Sequence, residues 1–326
     1  MNVVGGGTRW TNEVIRHLRI RGHEILLIND DRKGPRFLPR SYQEVWMARK
    51  LAGQLKRVKG LDCILLCSDM ELSPVFKGVA PLVGILHESS FLKRLNVYGL
   101  RRLMQAPARY MGYMDFSALD TVVVNSHFTA STVKKVFPET HVVYPGIDHC
   151  RFTPEGSVDG GFLLYVARFS PGTKNHELAI EVAKSLKTRL VLAGGLGSVD
   201  YLNKLPHVGG VEFQPDVSDE ELLQLYRNCS IYLHPSIAEA FGLTVVEAMA
   251  CGKPVIAHKE GGGAREIVED YGLVAGSIEE WIELTEHLLS SPQERKLIGE
   301  KCRNRALIFG WDRTAEDLET VIERII

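Results

Sequence analysis

The chain has 326 residues, 45% hydrophobic and 24% charged, which gives room for two domains with cores of their own. That composition excludes collagen-like, disordered and disulfide-stapled classes. Net charge is −1 but unevenly spread: residues 1–155 carry 22 Lys and Arg against 14 Asp and Glu, and residues 156–326 carry 17 against 26. The basic front half points as much to an anionic acceptor or membrane surface as to an ordinary solvated face, and no nucleic-acid partner is expected. Six cysteines form no disulfide framework. Cys63 and Cys67 sit in the apolar run CILLC and read as small core residues, without a Cys/His pair at zinc spacing to accompany them. No apolar run is as long as a membrane span, and with no signal peptide the expected location is cytoplasmic.

In chain order, residues 1–4 read as a short strand leading into Gly5-Gly6-Gly7-Thr8 and a helix with Val14, Ile15 and Leu18 on one face, then a buried strand over residues 23–29. The glycines do not make a dinucleotide fingerprint, because Gly5 and Gly7 fit G-x-G-x-x-G but the third position is Trp10. Residues 41–59 read as a helix, and residues 62–67 and Leu82–Leu86 as buried strands, the second ending at His87. Residues 91–113 mix Lys93, Arg94, Arg101, Arg102 and Arg109 with leucines and tyrosines, either a surface helix pair or a segment for peripheral contact with the cytoplasmic membrane face. A strand at 121–125, a helix at 126–136 and a strand from 141 precede Pro145-Gly146. That break, with Pro154 and Gly160-Gly161, marks the interdomain linker.

The second half alternates strands and helices regularly: strand 162–167, a helix after Asn175, strands at 190–193 and 211–213, a helix at 219–226, and a strand at 230–234. Strands at 254–257 and 273–274 and a terminal helix follow. Such alternation predicts a parallel doubly wound sheet.

The chemistry concentrates in HPSIAEAFGLTVVEAM, residues 234–249. Glu239 lies before an apolar helix and Glu247 lies inside it, with seven residues between them. A carboxylate among Val245, Val246, Ala248 and Met249 costs several kcal/mol (about 2–7 for a polar group) unless something hydrogen-bonds it, and a sugar or ribose diol offers two donors. The amides near Phe241–Thr244 begin that helix without intrahelical partners and form an anion site. Acid, anion-binding turn and acid together describe a receptor for a sugar joined to phosphate.

The stretch resembles the Glu-x7-Glu motif of retaining glycosyltransferases of family 4. The likeness extends over residues 161–276 and, more weakly, over residues 1–150. It implies an α/β fold of the GT-B type, two doubly wound Rossmann-like domains facing a cleft: residues 1–153 on the acceptor side, residues 154–308 binding nucleotide sugar, and residues 309–326 as a closing helix returning to the first domain. It also implies transfer of a hexose from a nucleoside-diphosphate sugar to a glycan or lipid-linked acceptor. With no Asp-x-Asp pair, no metal or other cofactor is expected, and Arg168 and Lys174 match the family's diphosphate-binding cations. By the same match Glu239 contacts the donor sugar and Glu247 the ribose. Phe241, Gly242, Leu243 and Thr244 contribute the turn, and Gly6, Gly7 and Thr8 approach the diphosphate. His87 lies near the transferred sugar, and the base lies near Phe213, where Pro215-Asp216 stands in place of the family's usual glycine and leaves the base open. Two alternatives remain: a sugar-nucleotide epimerase of the same fold, and an inactive nucleotide-sugar-binding protein.

Overall fold

The computed structural model describes residues 6–27, 40–67, 70, 72–87, 116–156 and 159–326. By internal contacts the chain divides into two units, one of residues 1–10 and 145–313, the other of residues 11–144 and 314–326. The expected strand at residues 1–4, Gly5, and residues 91–113 lie outside the described residues.

In chain order the elements up to the linker are α1 (Gly6–Ile20), α2 (Arg40–Leu55), β1 (Ile64–Leu66), α3 (Ser73–Phe76), β2 (Leu82–Leu86), β3 (Thr121–Val124), α4 (His127–Val133) and β4 (His141–Val142). The four strands form one parallel sheet in the order β1-β2-β3-β4. Its two central strands are the apolar runs LVGIL and TVVV, as expected where helices cover both faces of a parallel sheet. Val45, Ala48, Ala52 and Leu55 of α2 pack on Leu72, Phe76 and Leu82. Val133 of α4 and Phe137 pack with Leu86, Val122 and Val124. Ser126 caps α4 by accepting from the Thr129 amide.

Two expectations are corrected here. Residues 23–27 form no strand, and Leu26 and Leu27 are exposed. An apolar run becomes a strand only where a neighbour completes its ladder, and the His23 amide is instead spent on the Leu18 carbonyl at the end of α1. The strand at residues 62–67 shortens to β1 and is half-buried.

The second series is β5 (Phe162–Val166), α5 (His176–Leu186), β6 (Arg189–Gly194), α6 (Val199–Lys204), β7 (Val211–Pro215), α7 (Asp219–Asn228), β8 (Ile231–His234), α8 (Leu243–Ala250), β9 (Val255–His258), α9 (Gly263–Val268) and β10 (Leu273–Ala275). Then come α10 (Ile278–Ser290), α11 (Pro292–Ala306) and α12 (Trp311–Glu323). The six strands run parallel in the order β10-β9-β8-β5-β6-β7. This is the doubly wound arrangement, in which the connections leave the first strand in opposite directions on its two sides. β5, β8 and β9 are buried at every position, and α5 turns Ala179, Ile180, Val182 and Ala183 inward. Capping boxes at Ser218/Glu221 and Ser277/Glu280 start α7 and α10.

Candidate active site

The direction of winding reverses between β5 and β8, which pair through Leu163–Ile231 and Leu164–Tyr232. Ligands of open α/β sheets gather outside the carboxyl ends of the strands at such a reversal. The connections leaving these two strands carry most of the residues singled out from sequence. Arg168 and Lys174 follow β5; Glu239 and the turn into α8 follow β8.

Lys174 Nζ donates to Glu239 Oε2 at 2.6 Å. Beneath this pair the buried Tyr165 hydroxyl donates to the Lys174 carbonyl at 2.6 Å and stands 2.8 Å from Ser236 Oγ, so one ring ties the two loops together. The main chain at Glu239 is held as firmly. Ala238 takes a left-handed backbone (φ 54°) and donates to the Glu260 carbonyl at 2.8 Å, while the Gly263 amide donates to the Glu239 carbonyl at 2.7 Å. A side chain at Gly263 would bring its Cβ 2.3 Å from the Ala240 carbonyl oxygen, closer than any real contact, so only glycine permits this approach. Burial works against the Glu239 charge, but the Lys174 ammonium beside it outweighs this and holds the carboxyl below its ordinary range.

His234 and His176 lie below the loops. His234 is buried between the Tyr165 and Tyr232 rings, at 5.9 and 6.2 Å, with no hydrogen-bond partner for either ring nitrogen among the described residues. Desolvation lowers the pKa of each histidine to about 4, so both are neutral at pH 7.

α8 starts from Gly242 in a left-handed backbone (φ 105°), whose carbonyl accepts from both Val245 and Val246. The amides of Leu243 and Thr244 are left without a backbone acceptor among the described residues. Phe241 is buried edge-on against Phe309, ring centres 5.8 Å apart, which fixes the turn from behind.

Glu247, one turn into α8, is 3% exposed. From sequence alone its hydrogen-bond donors are expected in a ligand. The chain itself supplies two: Arg9 Nη1 at 2.6 Å from Oε1, and the Tyr226 hydroxyl at 2.9 Å from Oε2. The Arg9 guanidinium also lies 5.6 Å over the Phe152 ring, which meets Tyr226 at 6.0 Å. Burial disfavours the Arg9 charge, yet Glu247 more than offsets this and raises its pKa. Neither partner was identified from sequence. Tyr226 shows only as an aromatic with a polar tip on the inner face of α7. Arg9 follows the Gly5-Gly6-Gly7-Thr8 run directly, and that position is the one available signal.

Arg168 is exposed and its guanidinium makes no hydrogen bond or ion pair among the described residues; its stem lies along Gly197, where an added Cβ would come 2.8 Å from Arg168 Cγ. Phe213, half-buried on β7, has the His207 ring at 4.7 Å and Phe169 at 6.4 Å. Gly6, Gly7 and Thr8 form the first turn of α1, immediately before Arg9. Arg168, Lys174, Phe213, Glu239, Phe241–Thr244, Glu247 and the Gly6–Thr8 turn thus belong to one unit. His87 belongs to the other, at the end of β2, where its carbonyl accepts from Asn125 Nδ2 at 2.7 Å. No group of three or more His, Cys, Asp or Glu side chains is placed to hold a metal ion among the described residues. No helix there is long and apolar enough to cross a membrane.

Residues 4–151 match the family model Glycosyltransferase Family 4, and residues 151–305 match Glycosyl transferases group 1. The chain belongs to glycosyltransferase family 4. A D-inositol 3-phosphate glycosyltransferase of Arthrobacter sp. (strain FB24) is 29% identical over 283 residues, 76% of this family 4 chain and 65% of that protein. The chain therefore spans just under two thirds of the length of that relative. Among solved structures, a glycosyltransferase from Rickettsia africae ESF-5 covers 99% of the chain at a TM-score of 0.74 and 19% identity, with 96% of its own length matched. HepE of Anabaena, solved with UDP and glucose, covers 99% at 0.73 and 19% identity, with 97% of its length matched. At that identity the likeness is one of fold, the two parallel-sheet α/β units of the GT-B type.

Proposed function

We propose that this family 4 chain transfers a hexose from a nucleoside-diphosphate sugar to a glycan or lipid-linked acceptor, with retention of configuration and without a metal ion. The observation that carries the reading is the composition of the β5–β8 reversal point: an Arg168 guanidinium without a partner among the described residues, the Lys174–Glu239 pair, and the open amides of Leu243 and Thr244. Departure of a nucleoside diphosphate builds negative charge on phosphate, which preorganised donors stabilise most where water is thin. Arg168 can fork two phosphate oxygens, and Lys174 supplies a second charge, the service a metal performs elsewhere. The start of α8 adds two N–H donors and the positive end of its dipole.

In this reading Glu239, kept ionised by Lys174, accepts hydrogen bonds from the hexose hydroxyls. Glu247 receives the ribose hydroxyls on its remaining lone pairs, and Phe213 lies toward the base. Gly6, Gly7 and Thr8 contribute a side-chain-poor turn beside the diphosphate. The relatives' name, a glycosyltransferase, supports glycosyl transfer, and the UDP and glucose bound in HepE support a nucleotide sugar as donor. The test is isothermal titration with UDP, GDP and ADP in the presence of EDTA, followed by transfer assays on a panel of glycan and lipid-linked acceptors with the product anomer assigned by NMR. Binding of one nucleotide without added metal and an anomer matching the donor's is the expected result. Failure of all three nucleotides to bind removes the reading.

A further inference from the structure

We propose that Asp216 selects the base of the donor and that it selects guanine. The inference rests on the donor reading above and goes one step further, to the nucleotide.

Asp216 follows β7 directly and takes a left-handed backbone, φ 54°, a conformation that costs most side chains but suits Asp and Asn best among them. Its amide donates to the Gly194 carbonyl at 2.8 Å, and its Oδ1 accepts from the Leu196 amide at 2.8 Å. Asp216 therefore grips the loop after β6 at two points. That loop is itself fixed on the phosphate side. Gly194 (φ 142°) passes so close to Ala167 that an added Cβ would stand 2.2 Å from its carbonyl oxygen, and Gly197 lies under the Arg168 stem. One continuous surface thus runs from Arg168 through residues 194–197 to Asp216.

The grip uses one carboxylate oxygen. Asparagine would grip as well and tolerates the same backbone, so the grip does not account for the charge. Oδ2 of this exposed side chain has no partner among the described residues. A carboxylate whose orientation is already fixed, with acceptor capacity only, recognises a pair of adjacent N–H donors. Among the common nucleobases guanine presents such a pair, N1–H beside the 2-amino group, whereas uracil offers one N–H flanked by two carbonyl acceptors that a carboxylate repels. The placement fits a nucleotide: β7 is two strands from β5, roughly 10 Å at the usual spacing, so a nucleoside anchored by its phosphates at Arg168 reaches across residues 194–197. The half-buried Phe213 of that strand, with the His207 ring beside it, supplies aromatic surface.

The experiment is titration of the intact chain with GDP and UDP, repeated on Asp216→Asn, which keeps the Oδ1 acceptor for Leu196 and replaces Oδ2 by a donor. GDP is expected to bind the wild type at least about tenfold more tightly than UDP, and the substitution to lose most of that ratio through weaker GDP binding, with Tm unchanged. Equal or tighter UDP binding by the wild type, or an unchanged ratio in the variant, overturns the proposal and leaves the donor reading standing. Absence of binding by either nucleotide overturns both. Should the variant fail to fold, IDP on the wild type makes the same comparison: lacking the 2-amino group, it should bind several-fold (roughly fivefold) more weakly than GDP, and equal affinity would sink the idea.

Discussion

Lys174 and Glu239 are joined by a 2.6 Å hydrogen bond between loops that leave adjacent strands, whereas the Arg168 guanidinium, on the same loop as Lys174, has no protein partner among the described residues. The two cations of this site therefore differ in what they do for the fold. Lys174 closes it; Arg168 waits for a ligand.

Replacing each by alanine separates the two roles. Arg168→Ala should leave urea-unfolding stability within about 0.5 kcal/mol of wild type while weakening nucleoside-diphosphate binding by about 1.5–3 kcal/mol, the worth of a charged hydrogen bond. Lys174→Ala should lose both, with a stability loss of about 1–3 kcal/mol because Glu239 is left partly buried and unpaired. Equal stability losses in the two variants would contradict the assignment.

Acid should destabilise the chain in two windows. His234 and His176 have folded pKa values of about 4 against an ordinary 6.5, so the unfolded chain binds the extra protons and their stabilisation fades as pH falls from 6.5 toward 4. Each is worth on the order of 3 kcal/mol when fully neutral. Glu239 is shifted the other way for its charge type: its contribution is present above 4.5 and is lost as pH falls through its lowered folded value. His234→Leu should remove about half the slope of the upper window of a stability–pH curve measured by urea unfolding, His176 supplying the rest, and leave the lower one in place.

Tyr226→Phe should cost about 1.5–3 kcal/mol, since it strips one donor from a carboxylate that has almost no access to water. Glu247→Ala should cost about 3 kcal/mol or more, because it leaves both Arg9 and the Tyr226 hydroxyl unpaired, and should also abolish nucleotide binding. Denaturant unfolding together with titration distinguishes the two effects: the Tyr226 variant retains the Arg9 pair and should still bind.

Gly263→Ala is expected to destabilise by about 2 kcal/mol or more. Its Cβ would meet the Ala240 carbonyl group and Phe241 Cα, all backbone atoms that can yield only by moving the turn into α8. The same displacement should weaken nucleotide binding although residue 263 need not touch the ligand. A thermal melt and one titration suffice to check it.

Strand–helix alternation in the second half was legible because its apolar runs are short, buried on both faces and punctuated by glycine. FLLYV, RLVLAG and IYLH became β5, β6 and β8 close to where the sequence put them. HEILLIN carries as strong a hydropathy signal, yet its described part, residues 23–27, makes no strand. Ladder pairing is a property of two segments, and one segment's composition does not reveal whether its neighbour arrives. At the site, Glu239, Glu247, Arg168 and Lys174 could be picked out by residue type and spacing, whereas Tyr165, Tyr226 and Arg9 could not. Tyr165 and Tyr226 look like ordinary core aromatics until their hydroxyls are seen on Ser236 and Glu247.

The sequence by itself determined the class of the fold, the parallel winding of its second half and the chemical types assembled around residues 234–249, because periodicity and local turn chemistry are written in neighbouring residues. Tertiary structure alone decided the partners. Arg9 meets Glu247 across 238 positions of chain, Lys174 meets Glu239 across 65, and Asp216 grips Leu196 across 20. Contacts at those separations depend on strand order and on where each connection re-emerges. They decide which charges are neutralised within the chain and which are left open.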